Sequence, residues 1–174
     1  MRQGGGKSKG ASFEREICKA LSLWLSQNKQ EDLLWRSAMS GGRATVARAK
    51  GKQLASQSGD ISSIHPLGHA FINTFYVECK NYKDLNFVGL ISKRGKLYEF
   101  WQETQAQAKS YQKQPILIAK QNQQPIIVCL TVTGINTLSL KGRSSFISHG
   151  MYAVRFDDFI KWANRVALGI HHAA

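Results

Sequence analysis

AFINTFYVECKN, residues 70–81, decides how the rest of the chain is read. It is an apolar run that acquires two charges, Glu78 and Lys80, at its far end. As an extended strand, its side chains alternate between faces. Phe75, Val77 and Cys79 then share one face, which packs against a helix, and Tyr76, Glu78 and Lys80 share the other. A carboxylate and an ammonium side by side on a buried strand need a purpose. A plain surface ion pair would contribute little.

Working outward, GDISSI at 59–64 starts a second strand, and HPLGH at 65–69 supplies turn residues. These segments predict an antiparallel hairpin, with 17 residues between Asp60 and Glu78. Such a hairpin brings the two carboxylates together at one end. They repel unless a divalent cation lies between them, and hard oxygen donors suit Mg2+, with Mn2+ as a substitute.

Upstream, Ser12 is a candidate N-cap for a helix reaching about Asn28, with apolar positions 13, 17, 20, 21 and 24 at helical spacing. Glu14 lies about 60° from the centre of that apolar stripe, so it leans toward the core. A carboxylate there is a third candidate for the metal region, against the alternative of simple first-turn charge compensation. DLLWRSA, 32–38, reads as a strand. Residues 39–58 read as a long basic loop, and a loop of that length in a compact domain is usually functional or mobile.

Downstream, 96–114 reads as a helix. PILIAK and PIIVCLTV form a hairpin, MYAVRF at 151–156 is a last strand, and 157–168 is a last helix capped by Asp157. The expected architecture is α/β, with a central mixed sheet flanked by helices. The expected organisation is a flexible basic tail at 1–11 followed by a single domain at 12–174.

Composition narrows the partner. Lys and Arg number 24 against 11 Asp and Glu, a formal charge of +13, which calls for a polyanion. No apolar run approaches the ~20 residues of a membrane-spanning helix, and the basic N-terminal stretch lacks the apolar segment of a secretory leader. DNA is therefore expected over a membrane, in a cytoplasmic setting. The three cysteines, Cys18, Cys79 and Cys129, are scattered in apolar surroundings, have no zinc spacing, and read as reduced core thiols.

Asp60 followed by Glu78-Cys79-Lys80 resembles the D…ExK signature of the PD-(D/E)XK nuclease superfamily, and Glu14 in GASFERE resembles its upstream helix glutamate. WRSAMSGG, 35–42, then GDI and VECKN, follow in the order seen in archaeal-type Holliday junction resolvases and their phage relatives. The resemblance spans roughly residues 10–120 and implies a restriction-endonuclease-like core. The 39–58 stretch is longer and more basic than in minimal resolvases.

The implied activity is Mg2+-dependent hydrolysis of DNA phosphodiester bonds, with four-way junctions as the substrate of a homodimer. The implied metal ligands are Asp60, Glu78 and the Cys79 backbone carbonyl. Glu14 would act through water or a second ion, and Lys80 would stabilise the developing charge. Arg36 and Ser37 would contact the neighbouring phosphate. Arg43, Arg48, Lys50, Lys52 and Lys83 would contact DNA phosphates, and Gln105 and Lys109, four apart on one helix face, would approach the site. A restriction- or repair-type nuclease on duplex DNA, or a non-catalytic DNA-binding protein with a vestigial site, remain the alternatives.

Overall fold

The computed structural model describes residues 5–37, 59–63, 65–90 and 92–170. Helix α1 (Gly5–Ser26) leads into strand β1 (Leu34–Arg36), and β2 (Ile61–Ser63) into helix α2 (Pro66–Thr74). Strand β3 (Phe75–Tyr82), helix α3 (Lys96–Ser110), β4 (Gln114–Gln121) and β5 (Ile127–Leu130) follow. Then come α4 (Val132–Thr137), β6 (Ser145–Ser148), β7 (Met151–Arg155) and α5 (Phe156–Trp162).

Five strands form one mixed sheet in the order β3-β4-β5-β7-β6. β3 and β4 run parallel, with Val77 opposite Ile116 and Asn81 opposite Lys120, and the other pairs are antiparallel. β1 and β2 form a separate antiparallel pair. The expected α/β architecture is therefore the one observed.

Alternation sorts the sheet's side chains into two cores. Phe75, Val77, Cys79, Ile116, Ile118, Val128 and Leu130 face α1, α2, α4 and α5. Leu117, Ala119, Cys129 and Met151 face α3, where Leu97 and Trp101 are fully buried. On the first side, Trp24 of α1 lies edge-on to Phe71 of α2 with ring centres 5.5 Å apart, and its indole N–H donates to the Ala163 carbonyl at 3.2 Å. The Ser22 hydroxyl ties β1 to α1 by accepting from the Leu34 N–H at 2.9 Å. The three cysteines are free and buried, and burial pushes the thiols of Cys18 and Cys129 up to about 12.

Four expectations change. Residues 59–80 are not a hairpin: HPLGHAFINT folds as α2, and β2 and β3 are joined through it. His65 caps that helix, its Nδ1 accepting from the Leu67 N–H at 3.2 Å, and Pro66 occupies the first turn, where its fixed φ costs nothing. Gly68, Phe71 and Ile72 then present an i, i+3, i+4 buried stripe. Helix α1 begins at Gly5, so Ser12 lies inside it rather than at its cap. The last helix starts at Phe156, with Arg155 at its N-cap and Asp157 in its first turn. The edge strand β6 was not expected.

Candidate active site

The site is built on β3 and the residue just before β2. Gly59 makes a parallel bridge to Val77, and the Asp60 N–H donates to the Val77 carbonyl at 2.9 Å. Gly59 has φ of +83°, and a Cβ there would sit 2.5 Å from the Val77 carbonyl oxygen, so only glycine allows this approach. The Asp60 carbonyl in turn accepts from the Ser37 N–H at 2.7 Å, which joins the end of β1 to the site. Asp60 is thus held from both sides by backbone.

Its side chain is 7% exposed, and Oδ2 accepts from the Cys79 N–H at 2.8 Å. Burial, and then the nearby Glu78 carboxylate, push the Asp60 carboxyl up to about 7. Asp60 thus lies near enough to Glu78 to feel its charge, and a parallel bridge and a helical crossover, rather than a hairpin, put it there.

On the other face of β3, Lys80 Nζ lies 2.6 Å from Glu78 Oε1, and the Tyr76 hydroxyl donates to Oε2 at 3.2 Å. Burial opposes the Lys80 charge, but Glu78 outweighs it and the ammonium stays above the ordinary lysine value. Lys80 also lies 4.9 Å from the centre of the Phe100 ring on α3. Tyr76 stacks on Tyr111 at 5.9 Å and braces Glu78. It was seen in the sequence only as a neighbour on the same face, and the alternation that put it there is the signal for its role.

Glu14 is buried to 9% exposure and forms an ion pair with the partly exposed Arg36. Arg36 is partly exposed at the end of β1, next to the buried Ser37. Among the described residues no group of three or more His, Cys, Asp or Glu side chains converges as a metal cage. The donor set is the Asp60–Glu78 pair, with Glu14 held by Arg36. That sparse set still fits a hard divalent ion. The mutual repulsion of the two carboxylates is what such an ion relieves, and Mg2+ binds through one or two carboxylates while keeping several waters and substrate phosphates.

Gln105 is half-buried and accepts from the Gln102 amide at 3.3 Å, whereas Lys109 is exposed. Neither has a contact with the Asp60–Glu78 pair among those described. Lys83 is exposed just past the end of β3. Arg43, Arg48, Lys50 and Lys52 lie outside the described residues. Trp101 is a core residue of α3. No helix among the described residues is long and apolar enough to cross a membrane.

Comparison with known proteins adds a family to this geometry. The family model described as "Phage putative PDDEXK endonuclease" matches residues 5–165. No curated protein and no solved structure gives a match.

Proposed function

The chain belongs to the phage PDDEXK endonuclease family, and from that premise we propose that it is a Mg2+-dependent endodeoxyribonuclease acting on four-way junctions. The observation that carries the catalytic reading is the Asp60–Glu78 pair. The reading is supported by a buried Asp60 carboxyl held on the β3 backbone and raised to about 7 by burial and by the Glu78 charge, with Lys80 paired to Glu78.

Asp60, Glu78 and the Cys79 backbone carbonyl would hold the ion, and Mn2+ would substitute. When bound, the ion supplies polarisation of the scissile phosphate and a more acidic water. The chain does the rest. The Cys79 N–H keeps the Asp60 carboxyl aimed. Glu78 and Phe100 keep the Lys80 ammonium over the same ground, where it stabilises negative charge developing on the phosphate oxygens. Arg36 neutralises Glu14 in the absence of substrate and is placed at the rim to contact the adjacent phosphate. Glu14 is then available to orient water.

The junction preference rests on WRSAMSGG, whose Arg36 and Ser37 adjoin Asp60 through the Ser37 N–H. A homodimer would place two such sites on symmetric strands. A nuclease acting on ordinary duplex is the second reading, favoured by the exposed carboxamides Asn122, Gln123 and Gln124 on the β4–β5 turn, which suit contacts with base edges. A non-catalytic binder is disfavoured because Glu14, Asp60, Glu78 and Lys80 are all present.

A labelled four-way junction incubated with the protein, beside linear duplex of the same sequence, separates these readings. Each is run with Mg2+ and with EDTA. Paired symmetric nicks on the junction alone support the resolvase. Cleavage of both substrates supports the duplex nuclease. Tight binding without cleavage under Mg2+ or Mn2+ supports the binder.

A further inference from the structure

Beyond the carboxylates, a surface depression opens where β3 and β4 end. Lys9 of α1, Lys83 just after β3 and Lys120 of β4 line it. The β4–β5 turn forms its far wall with Gln123 and Gln124. Among the described residues the one acid touching a lining lysine is Glu16, 3.6 Å from Lys120 and half-exposed, so the cleft stays positive.

Three features say what this cleft takes. First, it lies at the carboxyl ends of the parallel pair β3–β4, with Asn81 opposite Lys120, the end at which sheets with parallel strands bind ligands. Second, its polar groups are unspent. The Gln123 and Gln124 side chains are exposed and make no hydrogen bond among the described residues, and Asn81 Oδ1 is buried without one. A carboxamide offers both donors and acceptors, which is what a base edge needs. Third, the wall is braced: Lys9 Nζ donates to Asn122 Oδ1 at 2.5 Å, which ties the turn to α1.

Lys9 precedes Glu14 by five residues on α1, so one helix carries a side chain to the cleft and another to the Arg36 end of the carboxylate site.

We propose that this cleft grips the DNA backbone to one side of the cleaved phosphate, through Lys9, Lys83 and Lys120. Gln123 and Gln124 contact base edges there and give cleavage a sequence preference. The proposal rests on the nuclease reading above and adds a place where sequence is read.

The test uses the full chain and short fluorescein-labelled duplexes, with anisotropy followed across NaCl concentrations in EDTA. Lys83→Ala/Lys120→Ala should weaken binding about tenfold and reduce the slope of log K against log salt by about 2, equally for all sequences. Gln123→Ala/Gln124→Ala should keep the wild-type salt slope and flatten the distribution of cut positions under Mg2+ in a library of four-way junctions of varied arm sequence, with linear duplexes of the same sequences beside it. Wild-type affinity and slope in the lysine variant overturn the grip. An unchanged cut distribution in the glutamine variant overturns the base contacts. If the double lysine variant melts early, Lys83→Glu at its exposed position replaces it, and wild-type binding there overturns the grip equally. Absence of cleavage by the wild-type protein under Mg2+ and Mn2+ overturns the nuclease reading instead, and the salt slopes then judge the cleft by themselves.

Discussion

The Asp60 carboxylate accepts a 2.8 Å hydrogen bond from the backbone N–H of Cys79, the residue between Glu78 and Lys80. Strand β3 therefore positions all three charged groups at once. Glu78 and Lys80 are its own side chains, and Asp60 is clamped to its backbone.

Loss of one charge at this clamp should separate chemistry from binding. Asp60→Asn keeps an oxygen for the Cys79 N–H and removes the charge, so cleavage should fall below detection. Lys80→Ala should lower the cleavage rate by about 10²–10³-fold. Dissociation constants for DNA in both should stay within about threefold of wild type. Anisotropy beside a cleavage assay checks this, and loss of binding by two folded variants would sink the assignment.

Stability should depend on pH through the same residue. Asp60 titrates at about 7 when folded against an ordinary 3.8. The folded protein holds a proton that the unfolded chain releases, so metal-free stability falls as pH rises from about 4 to about 7 and levels off above. Asp60→Asn stays neutral throughout. It should match wild type near pH 4 and exceed it at pH 8 by something on the order of 2–4 kcal/mol. Urea melts at both pH values in EDTA measure the difference. Added Mg2+ should narrow it at pH 8, and a gap that does not vary with pH refutes the origin assigned here.

Gly59 should tolerate no side chain. In Gly59→Ala the new Cβ meets the Val77 carbonyl at 2.5 Å on a backbone with φ of +83°. A cost of about 1–3 kcal/mol is expected from the backbone conformation, and Asp60 must shift with it. Cleavage should therefore drop even at temperatures where the variant is fully folded by circular dichroism. Full activity in the folded variant would show that the bridge does not set Asp60's position.

The Glu14–Arg36 pair should show strong coupling for its size. Arg36→Ala strands a carboxylate that is 9% exposed, at a cost of about 1–2 kcal/mol after allowing for the exposure of Arg36. Glu14→Gln/Arg36→Ala should recover part of that loss. A double-mutant cycle from thermal melts decides, and strict additivity would mean the contact contributes nothing.

Much of this arrangement was legible in residue order. Alternation along FYVECK gave the two faces of β3, and the D…ExK spacing marked the carboxylate whose charge acts on Asp60. The crossover was not legible. HPLGHAFINT carries Pro and Gly, which read as a turn, and an apolar run too short for periodicity to choose between strand and helix. Pro66 in a first turn and the Gly68, Phe71, Ile72 spacing were the signals for α2. The pairing of Glu14 with Arg36 joins residues 22 apart on separate elements, and no local pattern announces it. Lys9 and Lys120 were missed because three lysines far apart in sequence become neighbours only when α1 lies across the ends of β3 and β4.

The buried thiols make the protein its own stopwatch. Cys18 and Cys79 belong to the core on the α1 side of the sheet, and Cys129 to the core under α3. None can meet a thiol reagent until its layer parts from the sheet, because the reactive species is an exposed thiolate. Labelling rates under native conditions thus time two separate openings. One opening exposes the seam that carries Asp60, and the other exposes the layer that carries Phe100. The order in which the three sulfurs react states which wall of the site breathes first.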